Sequence, residues 1–458
     1  MNWSFLAPPG ADTCSPLLAR RACAITLALT GALGALLIVT AAPLHASTLP
    51  PAYEALVREG LRTHPELRAL GGQAAAQRAR IDRAGAFPDP MLMIEWSMLP
   101  LAYPVNLART EMSGIEVGLQ QELPFPGKRR LAREVERHGI DIIAARAADT
   151  TRAIRGAVAQ AYYELAFVDE ALRLLDRNAR VLAQIADHAK IQVGAGKAFS
   201  VDVWRSQSEV AQVKERRYGL EARRIAAEVR INVLLGRGPT ARLPATSALG
   251  APPSLPPVDE LTRLAETSRP SLHAKQAELR RAHADRTRAE RERYPNFLVG
   301  ASYRFRVGPQ DDMARGSDFY SLRFGITLPV WGRQAAEARE SHARASGVDA
   351  EVESERRRVF AEVHRLHAEW VQARRTLTLY GAEIRPVADQ TLRASLPVYA
   401  VGRIDFHAVL QTWARVLETD LEQLRLLATL HAKLAELETA IGARIGPESA
   451  PTHNGAPR

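Results

Sequence analysis

Two long stretches of the chain carry apolar residues in alternating steps of four and three. The first stripe is Ile154, Val158, Ala161, Leu165, Val168, Leu172, Leu175, Ala179, Leu182, Ala186, Ala189 and Val193. The second is Val359, Val363, Leu366, Trp370, Ala373, Leu377, Tyr380, Ile384, Val387, Thr391, Ala394 and Val398. A mean step near 3.5, held over about five heptads, predicts helices that pack on one another as coiled coils. A helix from Leu131 to Val193 would be roughly 90 Å long, more than a globular core accommodates. Gly194 with Gly196, and Gly402, mark the places where these rods turn back into antiparallel hairpins.

Elsewhere the period changes to two. Leu92, Ile94, Trp96 and Met98 alternate with Met93, Glu95 and Ser97, and Ile115, Val117 and Leu119 with Glu116, Gly118 and Gln120. Val299, Ala301, Tyr303, Phe305 and Val307 alternate with Gly300, Ser302, Arg304 and Arg306. Tyr320, Leu322, Phe324, Ile326 and Leu328 alternate with Ser321, Arg323, Gly325 and Thr327. Each segment reads as a strand of about ten residues, the length of a tilted strand crossing a membrane. A half-buried sheet in a soluble protein shows the same alternation. Here the helices use their apolar stripe on one another, which leaves the apolar face of the strands for lipid. Lipid tolerates no open sheet edge, and about eight strands is the practical minimum for a closed barrel. Four strands therefore call for further copies of the chain. Two copies would make eight strands with a filled interior, and three would make twelve around a lumen.

The chain repeats at a spacing of about 205 residues. His64-Pro65-Glu66-Leu67 is echoed by Arg269-Pro270-Ser271-Leu272, and Phe87-Pro88 by Tyr294-Pro295. Leu123-Pro124-Phe125-Pro126-Gly127-Lys128 is echoed by Leu328-Pro329-Val330-Trp331-Gly332-Arg333, and Gly196-Lys197 by Gly402-Arg403. The pattern predicts a first repeat over 47–250, a Pro-rich linker over 251–257, and a second repeat over 258–445. Each repeat reads helix, strand pair, long helix, turn, long helix. The first helices are expected from Tyr53 to Gly85 and from Val258 to Arg293, each ending before an aromatic-Pro pair. Pro124, Pro126 and Gly127, then Pro329 and Gly332, redirect the chain from strand to rod. Lys128, Arg129, Arg130 and Arg333 follow at once, either as a basic collar at the lipid boundary or as ordinary solvated side chains.

Composition adds the compartment. Arg20 and Arg21 precede an apolar run from Ala22 to Thr40, and Leu44-His45-Ala46 follows, the pattern of a secretion signal over 1–46. A membrane anchor is the competing reading, since the run is nearly long enough to span. Both cysteines, Cys14 and Cys23, lie in this segment, which argues against zinc fingers, iron–sulfur clusters and disulfide scaffolds. The net charge is +10, but Lys and Arg are spread along the chain and mixed with Glu, so no nucleic-acid partner is expected. Mean hydropathy is −0.18, too polar for a bundle of membrane helices. After Gly446 the chain is rich in Pro, Ser, Gly and Ala, and 446–458 is expected to be a disordered tail.

The duplicated helix–hairpin–rod unit resembles the TolC-like outer-membrane efflux factors. The resemblance rests on the two turns Gln121-Glu122-Leu123-Pro124-Phe125-Pro126-Gly127-Lys128 and Gly325-Ile326-Thr327-Leu328-Pro329-Val330-Trp331-Gly332-Arg333, and on the turn regions at Gly196 and Gly402. It covers almost everything from Pro50 to Ile445. It implies a mixed α and β fold in which a homotrimer closes a twelve-stranded β-barrel, continued by a helical barrel through the periplasm. It also implies a passive exit duct in the outer membrane, without catalysis or cofactor. Its partners would be a periplasmic adaptor (membrane fusion) protein and an inner-membrane transporter, of RND type. Phe87-Pro88-Asp89-Pro90-Met91-Leu92 is most similar to the heavy-metal branch, which implies metal cations or drugs as cargo. Met91, Met93 and Met98 read as apolar filling before they read as soft metal ligands.

In that family a Tyr, an Arg and an Asp lock the inner end of the tunnel. Tyr399 and Asp202 match the tyrosine and the aspartate; Arg403 is the nearest arginine, one place out of register. A phenol and a guanidinium can hold a carboxylate by charge-assisted bonds. Two entrance aspartates of some relatives correspond to Ala408 and Gln411, so an acidic ring is absent or moved to Asp405. Ordinary turn capping is the competing reading for all of these positions.

His364 and His367, three apart on a helix, have no carboxylate spacing to make a metal site, and none is assigned. No G-x-S-x-G, phosphate loop, dinucleotide fingerprint or H-E-x-x-H is present, so no enzyme is expected. Two other functions remain open at this point: a type I protein-secretion duct, and a periplasmic coiled-coil adaptor or scaffold.

Overall fold

The computed structural model describes residues 51–97, 113–196, 199–306, 313 and 317–445. The signal segment, the tail, Met98, Lys197 and Val307 lie outside the described residues. In chain order the elements are α1 (Pro51–Thr63), α2 (Pro65–Gly85), β1 (Met91–Ser97), β2 (Gly114–Leu123), α3 (Lys128–Gly194) and α4 (Ser200–Leu234). Then come α5 (Val258–Ser268), α6 (Pro270–Arg291), β3 (Phe297–Arg306), β4 (Phe319–Ile326) and α7 (Arg333–Leu379). A π-helical turn (Tyr380–Ile384), α8 (Arg385–Ala400) and α9 (Phe406–Ile441) complete the chain.

Each predicted first helix is two helices. Pro65 and Pro270 open α2 and α6, where their missing N–H costs nothing. Each proline also forces the residue before it out of the helical region: His64 sits at ψ 123° and Arg269 at ψ 116°. The apolar periodicity continues across the break, which is why spacing alone reads one helix.

The strands form one antiparallel sheet in the order β1-β2-β3-β4. The central seam joins the two halves of the chain, with Val117 opposite Tyr303 and Leu119 opposite Ala301. Opposed residues share a face. One face carries Leu92, Ile94, Trp96, Val117, Leu119, Tyr303, Leu322 and Phe324, and the other carries Glu95, Glu116, Ser302, Arg304, Ser321 and Arg323. The apolar face is bare: Leu92 is 64% exposed, Leu322 65% and Phe324 76%. Among the described residues no helix covers it, in contrast to the half-buried pattern of a sheet packed on helices. β4 ends at Ile326, two residues short of the predicted strand, where Thr327 turns its N–H to the Asn296 carbonyl.

The predicted rod is α3, 67 residues long and about 100 Å at 1.5 Å per residue. Val158, Leu165, Val168, Leu175, Leu182 and Ala189 of its stripe are buried. Each fully buried leucine contributes about 1.5–3 kcal/mol relative to exposure. These residues build successive clusters along the rod, shared with α4 and α9.

The second rod departs from its prediction. Val359, Val363, Leu366, Trp370 and Ala373 are buried as the spacing requires. Beyond them the π-helical turn intervenes, its Arg385 N–H reaching back five residues to the Tyr380 carbonyl. Pro386 follows, and it has no N–H for a regular helical bond. The wider turn inserts one residue, so the inward face moves by one place. Val387, Thr391 and Ala394 are exposed, while Leu392 and Tyr399 turn in against the α3–α9 cluster. Among the described residues no helix is long and apolar enough to cross a membrane.

Candidate functional site

Two regions carry the residues singled out by sequence: the strand-to-rod turns and the hairpin ends. At the first turn Gly127 adopts φ 97° and starts α3. Phe125, between Pro124 and Pro126, stacks on Tyr294 with ring centroids 4.7 Å apart. Lys128 is buried, pairs with Glu292 at 2.9 Å and donates to the Asn296 Oδ1 at 2.8 Å. Arg129 donates to the Gly85 carbonyl at 2.6 Å and lies over the Phe87 ring. These two cations bind within the fold, so they are not members of a free basic collar. At the second turn Gly332 adopts φ 72° and starts α7, and the Val330 N–H folds back to the Leu328 carbonyl across Pro329. Here Val330 and Trp331 stand 67% and 92% exposed.

On the polar face of the sheet Glu116 is buried in the seam. It accepts from Ser302 Oγ at 2.5 Å and Arg304 Nη2 at 2.8 Å, and Arg323 approaches to 3.5 Å. Sequence reading placed Glu116 on this face but not its partners, which come from strands nearly two hundred residues away.

At the hairpin ends Gly196 and Gly402 adopt φ 69° and 73°, a conformation other residues reach at a cost. Gly402 N–H bonds the Tyr399 carbonyl and Arg403 N–H bonds the Val398 carbonyl, which closes α8. Gly194 is still helical, and a Cβ there would meet nothing, so Gly196 makes the turn. Asp405 caps α9, accepting from the Ala408 N–H at 2.9 Å.

Asp202 lies buried in the first turn of α4, with Arg205 3.7 Å away. Tyr399 rests on Phe406, ring centroids 5.5 Å apart. Burial, and then the Asp202 charge, push the Tyr399 phenol above its ordinary value. The two residues are therefore brought into electrostatic range without a hydrogen bond between them. Arg403 is exposed and forms no ion pair among the described residues. Phe406, Trp413 and Leu417, which hold Tyr399 and its surroundings, were not singled out by sequence; their spacing of seven and four on α9 was the available signal. His364 and His367 stand on α7, where burial and then His364 hold His367 below its ordinary value. Among the described residues no three His, Cys, Asp or Glu side chains gather as a metal site.

Comparison with known proteins places this arrangement. The sequence signature of the outer membrane efflux protein family matches residues 56–237 and again 261–443. The chain is 22% identical over 290 residues to the cobalt-zinc-cadmium resistance protein CzcC of Cupriavidus metallidurans, covering 63% of this chain and 68% of that one. Its fold is similar to the outer-membrane channel OprN, with TM-score 0.72 at 18% identity over 86% of this chain and 90% of that one. It is equally similar to CusC, with TM-score 0.71 at 17% identity over 88% and 96%. The double match, a bare apolar sheet face and long helical rods agree: the chain belongs to the outer membrane efflux protein family, as a non-enzymatic channel of the outer membrane that extends into the periplasm.

Proposed function

We propose that three copies of this chain close a twelve-stranded barrel in the outer membrane, continued by a helical tunnel, as the exit duct of a tripartite pump. The observation that carries the reading is the sheet itself, apolar and bare on one face and open at both β1 and β4. Lipid rewards the bare face and forbids the open edges. A twelve-stranded cylinder supplies a lumen lined by Glu95, Glu116, Arg304 and Arg323. A periplasmic adaptor and an inner-membrane transporter of RND type would drive heavy-metal cations or drugs through it. The likeness to CzcC supports metal as cargo. Copies 47–250 and 258–445 would each contribute one strand pair and one helical hairpin per protomer.

The gate of this duct is the ring of hairpin ends. Asp202, Tyr399 and Arg403 would meet there as a lock between rods, with Asp405 holding the start of α9 and Gly196 and Gly402 fixing the turns. Adaptor contact would open it by favouring the splayed arrangement of the rods.

The test is physical. The mature protein is expected to leave membranes only in detergent, to show heat-modifiable gel mobility, and to have the mass of three chains. A monodisperse single copy in plain buffer overturns the reading. Loss of metal tolerance on deletion, restored by the intact gene, assigns the cargo class.

A further inference from the structure

The two strand hairpins share one register. Met91 lies opposite Gln120 in the first, and Leu298 opposite Gly325 in the second. The second pair is the first displaced by 207 residues on the leading strand and 205 on the following one. The same displacements separate Phe87-Pro88 from Tyr294-Pro295, and Leu123-Pro124 from Leu328-Pro329. The two halves therefore correspond residue by residue through the strands. The chain also contains one junction between halves, β2 to β3, with Gln121 opposite Val299 and Gly118 opposite Ser302. The matching junction, β4 to β1, is not formed among the described residues.

We infer that β4 of one protomer pairs with β1 of the next in the register of the β2–β3 seam. Ile326 then lies opposite the partner's Leu92, Phe324 opposite the partner's Ile94, and Arg323 opposite the partner's Glu95. The inference rests on the reading that copies of this chain complete the barrel, and it adds which residues meet.

Three features agree with this register. First, on the bare face Ile326, Phe324 and Leu322 meet the partner's Leu92, the partner's Ile94 and the partner's Trp96, so the apolar faces of the two strands coincide. Second, Arg323 faces a carboxylate. Glu95 has no ion-pair partner among the described residues, and Arg323, half-exposed and 3.5 Å from Glu116, has donors to spare. The equivalent pair in the chain is Gly118 and Ser302, so repetition alone does not require opposite charges here. Third, the turns complement one another. Lys128 donates to Asn296 within the chain; the corresponding residues are Arg333 and Asp89, again of opposite charge. The exposed Val330 would come to rest on the partner's Phe87, as Phe125 rests on Tyr294.

The test is disulfide mapping of the full chain in isolated outer membranes, with Cys14→Ser and Cys23→Ala as background. Ile326→Cys with Leu92→Cys, once oxidised and boiled, is expected to give a reducible ladder of two and three chains on a gel. Ile326→Cys with Trp96→Cys, displaced by four residues or about 13 Å, is expected to give none, since bridging needs Cα atoms within about 7 Å. A ladder from the displaced pair instead overturns the register and leaves the assembly standing. No ladder from either pair, with a three-chain mass in detergent, also overturns the register alone. No ladder together with a single-chain mass overturns both. Independently, Arg323→Glu and Glu95→Arg should each lower the temperature at which the trimer dissociates in detergent, and the double exchange should restore it. A double variant no better than the weaker single one removes the ion pair.

Discussion

Tyr399 lies against Phe406 with its hydroxyl buried and without a hydrogen-bond partner among the described residues. An unpaired buried hydroxyl costs about 1–3 kcal/mol, so the single chain gains nothing from this oxygen. Tyr399→Phe is expected to leave the thermal stability of the chain unchanged or higher. In the assembled duct the same oxygen is the candidate to meet a carboxylate. Asp202→Ala with Tyr399→Phe should therefore lengthen the open lifetime in planar bilayers. Unchanged conductance and unchanged lifetime remove the lock.

The π-helical turn sets which face of α8 looks inward. Pro386→Ala, which returns the missing N–H and allows a continuous α-helix at unchanged chain length, should rotate everything after the turn by about 100°. Val387 and Thr391 would then replace Leu392 and Tyr399 against the core. The expected outcome is a folded but leaky channel, read as increased uptake of a large antibiotic by intact cells. Wild-type permeability in Pro386→Ala would show that the one-residue shift has no bearing on closure.

Gly442 ends α9 at φ 81° beside the α5–α6 break. A Cβ there would collide with the Ser268 carbonyl oxygen and approach the Arg269 Cα to 2.9 Å. Both neighbours are backbone and cannot swing away. Gly442→Ala should destabilise the helical region by about 1–3 kcal/mol, measurable as a lowered melting temperature. Gly194→Ala, with open space around it and ordinary helical backbone, should be neutral or slightly stabilising.

Glu438 is raised from its ordinary 4.5, first by burial and then by Glu54; the Ile445 N–H, Arg444 and Arg152 act against this. With the folded value above the unfolded one, its contribution to stability is full below about 4.5. That contribution is lost as pH rises through the folded value. The melting temperature of the wild type should therefore fall, relative to Glu438→Gln, as pH is raised from the acid range to neutrality. Parallel profiles of the two proteins would show that Glu438 titrates normally.

Much of the architecture was legible in the order of residues. Period-two alternation in four short segments named the strands, because successive side chains of a strand point to opposite faces. Heptads from Ile154 to Val193 named α3, because a long helix must hide one narrow stripe. Gly127 and Gly332 were recognisable as turns, since few other residues reach positive φ without strain. Other features were written in the chain yet hidden by a stronger pattern. Pro65 and Pro270 broke helices whose apolar spacing ran on undisturbed.

What local spacing could establish about this channel is everything set by neighbours within a turn or a pleat: the kind of each element, its amphipathic face, and the correspondence of the two halves. It could not show that β2 and β3 form the seam, that Glu116 is held by Ser302 and Arg304, or that Lys128 belongs to a joint with Glu292 and Asn296. Those contacts join residues more than 160 positions apart, and their choice follows from packing over the whole fold. The inward placement of Tyr399 belongs with them, because one residue inserted at a π-helical turn rotates all that follows and leaves no mark on the apolar periodicity.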